Sequence, residues 1–416
     1  MVRTLSTVET VDARPEEAGI SSQGLEHLKR LVQGYIDDGR FPGAISMVAR
    51  HGKLVHFETY GKRDVESGAP VEKDTIFRIY SMTKPIVSIA LMTLYEEGRF
   101  QIDDPASKYI PQFKGLKVFD GGSLEHPRLR EPVREMTIAD LLRHTSGLTS
   151  RTDWLIGPLY EGGGLHTSAS NGTLAEMVEK LGRLPLKCDP GAQFNYGIST
   201  DVVGYLCEVL SGQRLDDILR ERVLGPLNMV DTGFDVPPSD MERFAANYRP
   251  GEAGEPRIVV VDRPDSSSIY SSPRSYLSGA GGLVSTASDY MRFCKMLANR
   301  GELEGARVIG PRTLEFMTMN HLPDGRDLTQ MGREEAGETA SHGIGFGLGF
   351  AVLLDSAEAG VVGTPGEYYW GGAASTAFFV SPEDELTVVF MTQLRPSSTY
   401  PIRREIRSIV YGSLLD

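Results

Sequence analysis

Ser81 and Lys84 have the residue types and the spacing of an activated nucleophile. They follow an apolar segment, 75–80, and come just before a helical pattern over 86–95. Residues three apart on a helix lie on one face, so the amine can reach the hydroxyl. A serine needs a neighbouring base before it attacks a carbonyl, and N–H groups at a helix start stabilise developing negative charge. Ser81 is therefore a candidate nucleophile, although a helix cap beside a solvated lysine would have the same spacing.

A second candidate is Tyr196, which lies in a turn just before a helical pattern over 201–210. A lysine ammonium beside this phenol would lower its pKa, and the phenolate could then take the proton of Ser81. A core tyrosine with a satisfied hydroxyl is the structural alternative.

The third feature is the run Tyr369-Trp370-Gly371-Gly372-Ala373, just before a strand predicted to begin near Ala374. Glycines let a backbone approach a ligand closely. A backbone N–H here and the N–H of Ser81 could form the two halves of an oxyanion hole. A tryptophan packed at a strand end and followed by a glycine bulge is the alternative.

Apolar periodicity predicts the elements that must position these residues. The predicted strands cover 44–49, 54–60, 347–354, 374–380 and 386–392, and the predicted helices cover 25–36, 86–95, 138–142, 174–181, 201–210, 215–224, 288–299 and 401–414. Strands at both ends with helices between them predict one antiparallel sheet built from the two termini. We expect an α/β domain from 1–80 and 300–416, and a mostly helical domain from 81–299.

Composition excludes several classes of protein. The net charge of −13 argues against a surface for nucleic acid or anionic membrane. Three scattered cysteines are too few for a disulfide framework and are expected to be buried free thiols, and the eight dispersed histidines predict no metal site and no cofactor. The polar, acidic start and the lack of a long apolar window predict a cytoplasmic protein. Oligomeric state stays open.

Other motifs receive structural interpretations. The G-x-S-x-G elbow of α/β-hydrolases does not occur in the chain. The glycine-rich run 343–349 is interpreted as a flexible lead into the sheet, and His144 as a structural hydrogen-bonding residue near a helix end. Three arginines on the last predicted helix are interpreted as a solvated face: Arg403, Arg404 and Arg407.

Taken together, the three motifs resemble the superfamily of serine β-lactamases and penicillin-binding proteins, and most closely its class C β-lactamase-like carboxylesterases, the family VIII esterases. The stretches 141–148 and 279–286 look like further family signatures, and the likeness covers about 19–412 as one unit. The resemblance implies an α/β (α+β), β-lactamase/transpeptidase-like fold, in which an antiparallel sheet flanked by helices meets a mostly helical domain at a catalytic cleft.

The resemblance also implies roles for these residues. Ser81 would be acylated, Lys84 would keep the protons of Ser81 and Tyr196 mobile, and Tyr196 would act as general base. The N–H groups of Ser81 and Ala373 would hold the oxyanion, and Trp370 would line the pocket.

Two departures from the β-lactamase pattern bear on the substrate. True class C enzymes carry Tyr-x-Asn, where this chain has Ile198, and Lys-Thr-Gly, where it has Trp370-Gly371-Gly372. An amide and a cation that would bind an antibiotic are therefore missing, and these four positions are expected to contact a neutral substrate. We expect a serine carboxylesterase for short acyl esters, ~C2 to C8, whose substrate is a small-molecule ester and which could hydrolyse a reactive β-lactam weakly.

Three other functions remain open. They are a β-lactamase or D-amino-acid peptidase, an acyltransferase using the same acyl-enzyme, and an inactive scaffold that binds a peptide or a subunit. Loops over 154–166 and 270–276 are expected to set the acyl-length limit and the stereochemistry.

Overall fold

The computed structural model describes residues 8–165, 172–332 and 342–416. In chain order the strands are β1 (Gly43–Arg50), β2 (Lys53–Asp64), β3 (Ala69–Pro70), β4 (Ile76–Arg78), β5 (Val118–Gly122), β6 (Pro127–Arg130), β7 (Asn247–Pro250), β8 (Ile258–Asp262), β9 (Val284–Thr286), β10 (Glu302–Leu303), β11 (Ala306–Arg307), β12 (Ile344–Phe346), β13 (Ala351–Leu353), β14 (Tyr368–Gly371), β15 (Ala377–Ser381) and β16 (Leu386–Thr392). The α-helices are α1 (Ser22–Asp37), α2 (Thr83–Glu96), α3 (Ile138–Leu142), α4 (Gly157–Gly162), α5 (Leu174–Leu181), α6 (Ser199–Ser211), α7 (Leu215–Leu219), α8 (Ala287–Ala298), α9 (Pro311–Met317), α10 (Ser356–Ala359) and α11 (Ile402–Tyr411).

The main sheet joins strands from both ends of the chain. Its order is β12-β13-β14-β15-β16-β1-β2-β3, and the neighbouring strands are antiparallel. Met47 of β1 lies opposite Val389 on one side and Phe57 on the other. The predicted antiparallel sheet from the two termini is therefore confirmed, whereas the domain boundaries at 80/81 and 299/300 stay a prediction.

Helices cover both faces of this sheet, which is why β1 is buried along its whole length. Side chains alternate between the faces of a strand. Ala44 and Val48 pack in a cluster with α1 and α11, whereas Ile45 and Met47 belong to the large core that contains α2 and α8. Ser21 caps the start of α1: its hydroxyl accepts a hydrogen bond from the N–H of Gly24.

The segment that carries Ser81 is fixed from both sides. β4 pairs with β9, a 3₁₀ turn over Tyr80–Met82 follows, and α2 then runs through the core with every side chain from Thr83 to Leu94 buried or nearly so. A helix that is apolar on all sides is stable only inside a protein. The start of α2 is thus a rigid place for a nucleophile.

Several predicted boundaries were wrong around the C-terminal strands. Tyr369 and Trp370 do not precede a strand, because they lie within β14, and the following strand begins at Ala377 rather than Ala374. The predicted strand 347–354 covers only β13, and the glycine-rich run contains β12 instead of a flexible lead. Glycine is needed there because a Cβ on Gly345 would lie 2.5 Å from the side-chain oxygen of Asn320. Short pairs such as β5–β6 and β7–β8 were also missed.

The last helix differs from its interpretation as a solvated face. Arg407 is buried and pairs with Glu367, and Arg403 is half-buried and bonds to backbone carbonyls, so only Arg404 is exposed as expected. The helix lies against the sheet, and its arginines bind backbone carbonyls and a buried carboxylate at this contact.

The cysteines are free, as expected. Cys207 and Cys294 are buried, and Cys188 is half-buried. None of the helices in the described ranges combines the length and the apolar character needed to cross a membrane.

Candidate active site

Ser81 and Lys84 meet at the start of α2. The Lys84 ammonium donates to Ser81 Oγ at 3.1 Å and to the carbonyl oxygen of Ala280 at 2.7 Å. Lys84 is 3% exposed, whereas Ser81 is half-buried and lines a cavity. The lysine therefore faces the nucleophile instead of the solvent.

Tyr196 completes this group. Lys84 Nζ lies 4.5 Å from the centroid of its ring, and the indole N–H of Trp370 points at its hydroxyl oxygen over 3.4 Å. Burial of the phenol oxygen opposes ionisation, but the Lys84 charge and hydrogen bonds with Lys84, Ser81 and Trp370 outweigh it and lower the pKa of Tyr196 from its usual value of 10. The tyrosine is nevertheless 40% exposed, because part of its ring faces the open cavity.

Aromatic rings hold Tyr196 in place. Its centroid lies 4.8 Å from that of His144 and 5.5 Å from that of Trp370, and Phe346 contacts Trp370 edge-on at 5.3 Å. His144 lies two residues after the end of α3, and its carbonyl accepts a hydrogen bond from the N–H of Asn195. These contacts give His144 a structural place beside the tyrosine.

The glycine run at the end of β14 lies against the serine turn. A Cβ on Gly372 would lie 2.4 Å from the carbonyl oxygen of Ile79, so only glycine lets the two backbones approach this closely. Within the described chain, the Ala373 N–H donates no hydrogen bond. Trp370, Gly371, Gly372 and Ala373 line one cavity together with Ser81.

That cavity has a volume of about 270 Å³, and its remaining wall combines a majority of apolar side chains with three arginines of α11, Arg403, Arg404 and Arg407. Phe378, Phe379, Phe390 and Ile406 contribute to it. Ile198 lies outside this lining: it is half-buried just before α6 and packs on the large core. Two loops are expected to set specificity. The structure describes all of loop 270–276, whereas the last residue of loop 154–166 lies outside the described residues.

Asp201 is a residue that the sequence analysis missed. It is buried in the first turn of α6, where Oδ1 accepts from Ser278 Oγ at 2.6 Å and from the N–H of Ala280 at 3.1 Å. Burial raises its pKa, and the Lys84 charge opposes that rise. Asp201 thus fixes the residue whose carbonyl accepts from Lys84. An aspartate at the start of an apolar helix was the available signal, and a helix-capping role would explain it equally well.

The two accessory signatures pack around the same group. Ser146 Oγ lies 2.9 Å from Ser199 Oγ at the start of α6, and Thr83 Oγ1 accepts from the N–H of Leu283 at 3.1 Å. The first contact secures the helix after Tyr196, and the second secures the helix that carries Lys84.

Metal chemistry receives no support from residue placement. Among residues 8–165, 172–332 and 342–416, there is no group of three or more histidine, cysteine, aspartate or glutamate residues that could hold a metal ion. The chemistry available at this site is that of a hydroxyl, an amine, a phenol and backbone N–H groups.

Comparison with known proteins agrees with this arrangement. A family model described as Beta-lactamase matches residues 28–410. The chain belongs to the beta-lactamase family. The resemblance inferred from the motifs and the β-lactamase/transpeptidase-like fold are thereby confirmed.

Individual members of the beta-lactamase family place the chain more narrowly. Esterase EstB of Burkholderia gladioli is 32% identical over 391 residues, which are 90% of this chain and 91% of EstB. Protein Rv1367c of Mycobacterium tuberculosis is 33% identical over 369 residues, 88% of this chain and 89% of the relative. The solved structure of "EstCE1, a hydrolase with promiscuous acyltransferase activity" superposes with a TM-score of 0.80 at 27% identity, covering 94% of this chain and 99% of EstCE1. The likenesses to EstB and EstCE1 support the esterase branch inferred from the motifs.

Proposed function

We propose that this chain is a serine carboxylesterase that hydrolyses short acyl esters through an acyl-enzyme on Ser81. The observation that carries the proposal is the convergence of Ser81, Lys84 and Tyr196 at the mouth of a small, largely apolar cavity. The similarity to Esterase EstB supports the same reaction.

Acylation begins with proton transfer. The Tyr196 phenolate, stabilised by the Lys84 charge, takes the hydroxyl proton as Ser81 Oγ forms a bond to the ester carbonyl carbon. The carbonyl oxygen becomes an oxyanion, which the N–H groups of Ser81 and Ala373 stabilise. The C–O bond to the alcohol then breaks, and Tyr196 returns the proton to the departing alkoxide.

Deacylation repeats these steps with water. Tyr196 takes a proton from the water, the hydroxide attacks the acyl carbon, and the bond to Ser81 Oγ breaks as Oγ regains a proton. The acid product leaves and the free enzyme is restored. The Lys84 charge keeps the phenol acidic enough to exchange protons with both oxygens.

The cavity favours a neutral, short acyl group. Its volume of about 270 Å³ lies below the range usual for drug-sized ligands, so the room for an acyl chain is limited. Trp370, Gly371 and Gly372 supply no side-chain cation, and we propose that they contact the ester; Ile198, which lies outside the lining, stays a prediction as a substrate contact. A carboxylate-bearing lactam would find no positive charge at these positions, and the three arginines that line the cavity already bind protein groups: Arg403 and Arg404 donate to backbone carbonyls, and Arg407 pairs with Glu367.

The main test compares two substrates on one preparation. We expect kcat/KM for p-nitrophenyl butyrate to exceed that for nitrocefin by at least a hundredfold, and Ser81→Ala to abolish turnover of both. Fluorophosphonate labelling, read by intact mass, should modify the wild type once and leave Ser81→Ala unmodified. A larger kcat/KM for nitrocefin would instead identify a β-lactamase, and an unlabelled, folded wild type would favour the scaffold.

Acyl transfer is the second candidate. EstCE1 is described as a hydrolase with promiscuous acyltransferase activity, and an acyl-enzyme can pass its group to an alcohol when water is excluded. Products formed from p-nitrophenyl butyrate with an added alcohol decide the matter: ester formation that outruns hydrolysis would make transfer the main activity. The cytoplasmic location expected from the sequence remains a prediction.

A further inference from the structure

The last helix reaches the turn that carries the proposed oxyanion hole. Arg403, the second residue of α11, donates from the same nitrogen, Nη2, to the carbonyl oxygen of Gly372 at 2.7 Å and to that of Thr376 at 2.9 Å. One guanidinium thus binds both ends of the turn between β14 and β15, although Arg403 is distant from this turn in the sequence.

The turn is already closed by its own hydrogen bonds. The N–H of Gly372 donates to the carbonyl of Thr376 at 2.9 Å, and the N–H of Ser375 donates to the carbonyl of Gly372 at 3.1 Å. Arg403 therefore adds a second donor to each of two carbonyls that already accept one bond. Charge-assisted hydrogen bonds of this kind are stronger than those between neutral groups. Ala373 lies between the two anchored carbonyls.

Close packing leaves the turn little room to move. A Cβ on Gly371 would lie 2.5 Å from Arg403 Cζ, and one on Gly372 would lie 2.4 Å from the carbonyl oxygen of Ile79. The turn is thus confined between the guanidinium on one side and the segment leading to Ser81 on the other.

We propose that Arg403 is a positioning residue for the esterase reaction: by anchoring both ends of the turn, it holds the Ala373 N–H in the direction of the developing oxyanion. This inference rests on the proposed function. Oxyanion-hole donors stabilise charge because they are oriented before the reaction starts. An anchored donor acts on the transition state, whereas substrate binding needs only the cavity, so the loss of Arg403 should lower kcat more than it raises KM.

The experiment uses Arg403→Met and Arg403→Lys with p-nitrophenyl butyrate. We expect Arg403→Met to lower kcat by ~10- to 100-fold and to change KM less than threefold. This loss of kcat is no larger than the ~10²- to 10³-fold loss that follows removal of an oxyanion-hole donor itself. Arg403→Lys should recover part of kcat, because an ammonium can still donate to one of the carbonyls. A short alkyl boronic acid, whose tetrahedral adduct on serine resembles the transition state, should bind each variant more weakly in proportion to its loss of kcat/KM.

Arg404→Met is the matched control. Arg404 lies next along α11 and lines the same cavity, but its hydrogen bond within the described chain goes to the carbonyl of Gly360. If the kcat loss in Arg403→Met came only from removing a positive charge near the cavity, Arg404→Met would lower kcat as much. We expect instead that Arg404→Met lowers kcat at least fivefold less than Arg403→Met does.

The outcomes separate this inference from the proposed function. Loss of turnover in Ser81→Ala together with an unchanged kcat in Arg403→Met would overturn the positioning role and leave the esterase proposal intact. Full turnover in Ser81→Ala would overturn both. If Arg403→Met does not fold, Arg403→Lys decides: an unchanged kcat and boronate affinity would refute the role.

Discussion

Replacing Tyr196 with phenylalanine tests the proposed general base with the smallest change that the chain allows. One oxygen is lost, and the ring keeps its contacts with His144 and Trp370. A positioned base contributes ~10²- to 10⁴-fold to a rate. At 1.36 kcal/mol per tenfold, we expect the activation free energy for acylation to rise by about 3–5 kcal/mol.

The same substitution should hardly change stability. The tyrosine is 40% exposed, its hydrogen bond from Trp370 is long at 3.4 Å, and Lys84, which also bonds with the phenol, keeps its bonds to Ser81 and Ala280 in the variant. Loss of such a bond lowers the free energy of unfolding by about 1 kcal/mol or less. A large kinetic loss with a small change in urea midpoint would therefore separate catalysis from folding.

The assay is the pre-steady-state burst of p-nitrophenol from p-nitrophenyl butyrate, which reports acylation directly. Tyr205→Phe, the same substitution on the outer part of α6, serves as the control and should keep the wild-type burst rate. An acylation rate of Tyr196→Phe within fivefold of the wild type would refute the assignment of Tyr196 as base.

The dependence on pH gives a second test of the same step. Because the Lys84 charge lowers the pKa of Tyr196, the phenolate forms at a lower pH than in free tyrosine, and the acylation rate should rise with a midpoint below pH 10. Lys84→Met removes that charge, so its residual rate should rise at higher pH than in the wild type. If the acylation rate of Lys84→Met rose over the same pH range as that of the wild type, Lys84 would not be lowering the pKa of the phenol.

Three further changes test packing at the site and buried polar groups elsewhere in the core. Gly372→Ala should lower kcat at least ~10-fold, because its Cβ would lie 2.4 Å from the Ile79 carbonyl and push the turn away from Ser81; an unchanged kcat would show that the turn tolerates the shift. Burial raises the pKa of the Asp289 carboxyl from 3.8 to about 7, so the folded protein binds its proton more tightly than the unfolded chain does. The free energy of unfolding of the wild type should therefore fall as pH rises from about 4 to 7. At 1.36 kcal/mol per pKa unit, the fall is up to about 4 kcal/mol. Between pH 5 and pH 8, the free energy of unfolding measured in urea should change less for Asp289→Asn than for the wild type, and an equal change in both proteins would contradict the raised pKa. Arg78→Met removes a fully buried guanidinium that pairs with an aspartate, and should lower the free energy of unfolding by about 3 kcal/mol in the same assay, unlike a surface arginine substitution.

The sequence determined the local parts of this site. Ser81 and Lys84 are three residues apart, and helical geometry alone places such a pair on one face. The hairpin of β1 and β2 and the pairing of β15 with β16 likewise follow from alternation and short turns, and they were predicted correctly. These features depend on contacts between near neighbours, so the chain specifies them without reference to the rest of the fold.

Only the tertiary structure decided the contacts between distant segments. Periodicity alone could not identify β12 or β14, because each has only three or four residues and depends on neighbours for its hydrogen bonds. Arg403 had the sequence signature of a solvated helix face, and Asp201 that of a helix cap. Folding brought Arg403 to the carbonyls of Gly372 and Thr376, and Asp201 to the N–H of Ala280. Buried polar groups bind whatever partners the folded chain places beside them, and these partners are distant in the sequence.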